Sequence, residues 1–324
     1  MSLAKQARAR RERRPLAERL AASQDRLGRV GCALAPLVNP MLRWRPLRVL
    51  LEKLSGIDRR WILPSYQRRP FSRRAGARPR REGPGPSVVL FPTCFVEYSA
   101  GETGRAACQV LEHSGVAVET LYPGCCGAPQ LHGGDAAGAR RQARRLLAGL
   151  RPALEAGRAI VVPGPTCSYQ LKREVPELSP GPAAEALSRQ TFDLCEYLWK
   201  LRRESRLPQD FSHRLGRVAY HLPCHLKAQN VGFRGRKLLE LAGAEVELLD
   251  RCSGVDGSWG MQARWYERSL EVAGPLLDDV RRLAPEHVAS DCPLAALRIL
   301  EGTGRRTVHP VELLRTAYGL GAEG

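Results

Sequence analysis

The second half of the chain repeats the first, and that repetition constrains the fold more than any other feature. RVAYHLPCH (217–225) matches SVVLFPTCF (87–95), and GRKLLELAGAEVELL (235–249) matches AACQVLEHSGVAVETL (106–121), pairing Glu112 with Glu240, Gly115 with Gly243 and Val118 with Val246. RCSG (251–254) falls where GCCG (124–127) stands, ASDCP (289–293) where GPTCS (164–168) stands, and TVHPVELL (307–314) where TFDLCEYL (191–198) stands. Within one copy the texture alternates. The short apolar run SVVLFPTCF precedes the helical TGRAACQVLEHSG, the strand-like VAVETLYPG precedes the long helical DAAGARRQARRLLAGLRPALEAG, and AIVVPGPTC closes the unit. Strands separated by helices need crossover connections, so the expected class is α/β: two tandem pseudo-symmetric β-α-β repeats, each with a parallel sheet.

The repeat also sorts the cysteines. Cys94 corresponds to Cys224, Cys125 to Cys252 and Cys167 to Cys292, each at the end of an expected strand; Cys126 has Ser253 as its counterpart. Cys108 falls in a helix opposite Arg236, Cys195 aligns with Val311, and Cys32 lies outside the repeat, so these three read as packing residues. In an open parallel sheet the strand ends share one edge, which brings Cys94, Cys125, Cys126 and Cys167 together despite 30 and 40 intervening residues. Four gathered thiolates repel one another unless a cation neutralises them, which points to a metal centre. A vicinal pair makes a strained disulfide and suits one tetrahedral zinc poorly, but it can serve two irons of one iron-sulfur cluster. Gly124 and Gly127 are expected to let backbone N–H groups approach sulfur, and a helix starting near Asp135 to add its positive end. In the second copy three thiols, Cys224, Cys252 and Cys292, remain for a cluster, for zinc with His225, or for an empty site. Ser253, Asp256, Asp291 and His225 are the oxygen and nitrogen candidates there, and His132 and His221 are candidate proton donors.

The net charge of +18 is unevenly placed. Residues 1–85 carry 22 Lys and Arg against 6 Asp and Glu, and the remainder carries 29 against 27. Basicity therefore belongs to an N-terminal arm, which fits anionic lipid or an acidic partner subunit. RNA is disfavoured because aromatic residues are not interleaved with the charges, so no specific nucleic acid is expected. The arm reads as a charged helix or frayed arm over 1–35, then over 36–70 one amphipathic helix with Leu47, Leu50, Leu51 and Leu54 among Arg43, Arg45 and Arg48, followed by an extended stretch. Residues 72–87 read as a basic Pro/Gly-rich linker with no pattern of burial. The expected division is 1–87 for arm and linker, 88–205 for the first copy and 206–324 for the second. The start MSLAKQARARRERR lacks a secretory apolar core and no run of eighteen apolar residues occurs. The expectation is a cytoplasmic protein, peripheral on the inner face of the membrane. Gly-rich GPGPS and LHGGD lack the lysine and placement of a phosphate loop.

Residues 88–318 resemble the cysteine-rich CCG-domain family, whose pattern is a cysteine, CC about thirty residues on, and CxxC after some thirty-five more, in two copies. LPCHL, CSGVDGSWG and SDCPLAAL look like the second-copy motifs of the branch that holds the C subunit of anaerobic glycerol-3-phosphate dehydrogenase, and the B subunit of heterodisulfide reductase is a further branch. The resemblance implies an iron-sulfur electron-transfer subunit of an oxidoreductase complex, passing electrons between a flavoprotein dehydrogenase or ferredoxin-like partner and quinone or a disulfide substrate. It implies ligation of a [4Fe-4S] cluster, noncubane in some members, by Cys94, Cys125, Cys126 and Cys167, and a second site at Cys224, Cys252 and Cys292. The chain departs from the pattern at Gln170, Ser253 and Ala295, where the family has further cysteines, and residues 1–85 contain no ferredoxin-like cysteine run. The competing reading is a zinc-binding structural or partner-binding protein.

Overall fold

The computed structural model describes residues 16–76 and 85–321. Val88 to Leu90 and Ile160 to Val162 have no solvent exposure, as expected of strands covered by helices on both faces. In the first copy β1 (Ser87–Leu90), β2 (Ala117–Thr120), β3 (Ala159–Val162) and β4 (Thr191–Asp193) form an all-parallel sheet in the order β2-β1-β3-β4. In the second, β5 (Arg217–His221), β6 (Glu245–Leu249), β7 (His287–Ser290) and β8 (Thr307–Val308) repeat this as β6-β5-β7-β8. The register repeats too. Val88 pairs with Val118 and Ala159, and its counterpart Val218 pairs with Val246 and His287. The fourth strands, of three and two residues, are too short to show a period in sequence.

The two copies pack through helices that exchange roles. Helix Gly101–His113 of the first lies on Pro310–Ala317 of the second, and Leu194–Arg203 of the first on Arg234–Leu241 of the second. Gly101–His113 and Arg234–Leu241 occupy equivalent places, so the contact is that of a pseudo-twofold dimer within one chain. Val110, Leu111, Leu198 and Leu201 meet Leu238, Leu239, Val311 and Leu314 in one continuous core, which also holds Cys108 and Cys195. Equivalent capping boxes start two of these helices, Asp193 with Glu196 and His309 with Glu312.

The N-terminal segment differs from its expected form. Residues 1–15 and 77–84, within the arm and the linker, lie outside the described residues. Helices Leu16–Ala22 and Gln24–Ala33 stand within the stretch read as a charged helix or frayed arm, and Ala35–Met41 and Arg45–Ser55 stand where one amphipathic helix was expected. Pro46 in the first turn fixes the start of the last, and Gly56, at φ 75°, ends it. That helix turns Arg48 inward to donate to the carbonyls of Asp58 (3.0 Å) and Trp61 (2.7 Å), and leaves Leu50 and Leu54 exposed. The chain then straps both copies. Asp58 N–H donates to Met261 O at 2.8 Å, and Trp61 lies 4.9 Å from the buried Arg298 guanidinium, which also faces Tyr266. Gln67 returns to the first copy, its N–H donating to Tyr98 O. Helix Phe71–Ala75 buries Phe71 against Gly104 just before the stretch read as a linker, whose residues Ser72 to Gly76 are half-buried or exposed.

Candidate metal centre

The cysteines lie just past the strand ends, in the loops and first turns that follow. Cys94 opens helix Cys94–Tyr98, where Thr93 accepts from Val96 N–H at 3.2 Å, and Cys224 opens helix Cys224–Gln229. Cys167 lies in the first turn of Pro165–Tyr169, and Cys292 is the N-cap of Pro293–Thr303. Unpaired N–H groups of a first helical turn favour negative charge on sulfur. Cys125 and Cys126 occupy the turn after β2. A short helix, Ala128–His132, follows that turn directly. The long helix expected to add its positive end to the site, Ala136–Glu155, is capped by Asp135, which accepts from Gly138 N–H at 2.9 Å.

The structure brings the four first-copy thiols together. Cys125, Cys126 and Cys167 are buried and Cys94 is half-buried, all free of disulfides. Cys94 neighbours Cys125, Cys125 neighbours Cys126, and Cys126 neighbours Cys167. Contacts from Cys126 and Cys94, and the N–H of Gly127, hold Cys125 well below the ordinary thiol range. Cys94 and Cys126 are pushed well above it, first by their contact with Cys125 and then by burial and by Cys167. Gly127 has φ 90°, a conformation that L side chains rarely adopt, and its N–H contacts the sulfur two residues earlier. This donor set, all sulfur and linked pairwise in a chain, fits a thiophilic metal centre, and its vicinal pair favours iron-sulfur over a single zinc.

The second constellation is more open. Cys224 and Cys252 are exposed and Cys292 is half-buried, and Cys224 interacts electrostatically with both of the others. Gly254 N–H reaches Cys252 Sγ at 3.4 Å, repeating the Gly127 contact. Burial raises Cys292, opposed by the N–H groups of Ala295 and Leu294; burial also raises Cys224. Of the oxygen and nitrogen candidates, Ser253 is half-buried and Asp256 exposed. Asp291 turns inward to accept from Tyr220 Oη at 2.5 Å and Cys195 Sγ at 3.4 Å. His225 Nδ1 lies 3.0 Å from Thr166 Oγ1, and its ring stacks on His132 at 5.6 Å. Buried His221 lies against Ser290 Oγ and Arg251 O, and burial lowers it to about 4, so it serves the packing at neutral pH. Cys32 contacts Tyr98 O at 3.7 Å inside the N-terminal packing.

Two features escape sequence reasoning. Asp25, outside the repeat, contacts the GCC turn through the Cys125 N–H. Between the copies, Cys195, Asp291 and His309 place ligand atoms within 4.8 Å of one another. His309 Nδ1 accepts from Val311 N–H at 3.1 Å, so in the neutral ring the proton is on Nε2, 3.7 Å from Asp291. That Nε2 has no hydrogen-bond partner, and in this tautomer it carries a proton and no lone pair for a metal.

Comparison with known proteins follows the same pattern. The family model described as CCG, cysteine-rich domain, matches residues 88–172 and 218–297. The chain is 30% identical over 300 residues to the C subunit of anaerobic glycerol-3-phosphate dehydrogenase of Escherichia coli K12, covering 90% of this chain and 75% of that protein. It is 27% identical over 250 residues to the B subunit of fumarate reductase (CoM/CoB) of Methanothermobacter marburgensis, covering 73% of this chain and 47% of that protein. It is 29% identical over 245 residues to lactate utilization protein A of Bacillus pumilus, covering 71% of this chain and 97% of that protein.

Proposed function

The chain belongs to the cysteine-rich CCG domain family, with two copies in tandem, and from that premise we propose that it is an iron-sulfur electron-transfer subunit of an oxidoreductase complex. The observation that carries this reading is the contact chain Cys94, Cys125, Cys126, Cys167, gathered at one edge of the first sheet. These four residues would hold a [4Fe-4S] or noncubane cluster, which supplies one-electron uptake and release. The protein's own part is to exclude water from the three buried sulfurs and to direct the Gly127 N–H at Cys125. Cys224, Cys252 and Cys292 would hold a second, solvent-facing centre. Its two exposed thiols favour exchange with a partner or substrate over storage.

The partners we assign are a flavoprotein dehydrogenase or a ferredoxin-like protein as donor, and quinone or a disulfide as acceptor. Similarity to dehydrogenase and reductase subunits supports a place in such a complex. Contact with the membrane surface is supported by the N-terminal helices. Val30, Leu34, Leu37, Met41 and Trp44 are exposed at alternating spacings of four and three residues, with exposed Arg43, Arg45 and Lys53 beside or beyond them. An apolar stripe flanked by cations suits an anionic interface. Among the described residues no helix is long and apolar enough to cross a membrane. Anaerobic purification with iron, sulfide and zinc analysis and EPR of oxidised and reduced protein tests the proposal. Stoichiometric iron and sulfide with a redox-dependent signal are expected; zinc without iron refutes it.

A further inference from the structure

The carboxylate of Asp25 reaches the GCC turn from a helix that neither repeat contains. Its Oδ2 accepts the Cys125 N–H at 2.9 Å, and its Oδ1 accepts the Tyr122 hydroxyl at 2.5 Å, with the Tyr98 hydroxyl at 3.4 Å. The helix Gln24–Ala33 is seated closely enough to make this contact a built one. A Cβ added at Gly28 would stand 2.2 Å from the Tyr98 ring, and Gln130, past the turn, donates to Ala22 O at 2.8 Å. Tyr122 in turn packs against Phe91 and Tyr98, at 6.0 and 5.9 Å between ring centres.

We propose that Asp25 is a positioning residue for the first cysteine site: it fixes the backbone of Cys125 through its N–H and sets a carboxylate charge beside the sulfurs. The proposal deepens the iron-sulfur reading, and its electrochemical part rests on it. Two consequences follow from the bonding. The Cys125 N–H, engaged by Asp25, is withdrawn from any sulfur acceptor. A negative charge next to the thiolates also disfavours an added electron. Both act in one direction, lowering the reduction potential of the centre. They also make the first site depend on a segment with no counterpart over Cys252, whose own N-terminal neighbour Arg251 is exposed.

The test uses the full chain, purified anaerobically, with Asp25→Asn, Asp25→Ala and, where Asn does not fold by circular dichroism, Asp25→Ser. EPR-monitored titration of the first-site signal should give a midpoint potential more positive in Asp25→Asn than in the wild type. An unchanged or more negative potential at wild-type iron content overturns the inference. Independently of any metal, hydrogen exchange over residues 122–127 should speed up in Asp25→Ala; unaltered exchange there overturns the backbone clamp. A wild-type chain without iron refutes the cluster reading, and the exchange measurement still decides the clamp.

Discussion

Asp193 lies at the seam between the two copies and has no solvent exposure. It caps helix Leu194–Arg203 by accepting from Cys195 N–H at 3.1 Å, and the Ser168 hydroxyl reaches it at 3.3 Å. Burial, then the Asp291 carboxylate, raise it from 3.8 to about 8. Between those values the folded chain keeps a proton that the unfolded chain releases. Its favourable contribution is thus complete below the unfolded value and is lost as pH rises through the folded one. In that window the slope is about 1.4 kcal/mol per pH unit, or about 3 kcal/mol from pH 5.5 to 7.5. Asp193→Asn keeps an acceptor for Cys195 N–H and removes the titration. Urea unfolding across this pH range should show the wild type losing stability against Asp193→Asn by about that amount, since the other titrating groups are common to both. Parallel stability curves for the two proteins would refute the assignment of a protonated carboxyl to this seam.

Four further outcomes are expected. Cys126→Ser should abolish the first-site EPR signal while Cys108→Ser, in the inter-copy core, leaves it in place; survival in the first case counts against the ligand set. Trp61→Ala, which empties the space over Arg298, should lower unfolding stability by about 3–5 kcal/mol in a urea titration, and a loss below about 1 kcal/mol would show that the strap is dispensable. Leu37→Asp with Trp44→Asp, both exposed, should reduce cosedimentation with anionic phospholipid vesicles without altering the unfolding midpoint; equal binding removes the membrane-facing assignment. Ser253→Cys, which restores the second vicinal pair, should raise iron per chain, and an unaltered ratio means that the second site lacks more than one thiol.

The fold was legible because duplication makes a sequence its own comparison. A lone cysteine near an apolar run carries little information, but Cys94 with Cys224 and Cys167 with Cys292, each after a matched strand and helix, require the same backbone twice. The register of Val88 and Val218 in their sheets follows directly. The short fourth strands were hidden because two or three residues carry no period, although TFDLCEYL and TVHPVELL already aligned their caps, Asp193 and His309. Asp291 read as a candidate ligand from its place beside Cys292. Its inward turn toward Tyr220 and Cys195 depends on packing between the copies, which local spacing does not encode. The N-terminal segment was misread for a related reason. Its leucines fall at helical spacing, but the residues buried from Arg45–Ser55 are Ser55 and Arg48, whose guanidinium finds the carbonyls of Asp58 and Trp61.

That segment also accounts for the difference between the two cysteine sites better than the loss of one thiol does. Duplication alone would leave GCCG and RCSG equally placed at the edges of equivalent sheets. Both keep the glycine whose N–H returns to the first sulfur, Gly127 for Cys125 and Gly254 for Cys252. The unrepeated residues 16–76 break the equivalence. They meet the first copy at the GCC turn itself through Asp25, and the second copy around Met261, Tyr266 and Arg298 through Ile57 to Trp61. The first turn is contacted by this segment while its thiols lie in the first copy's own core, and the second keeps Cys224 and Cys252 at the surface. A covered centre suits electron transfer through the protein and an uncovered one suits contact with a second molecule. Under the proposed function, the segment outside the copies would contribute to a division of labour between them, with Ser253 at the site that would be the open one.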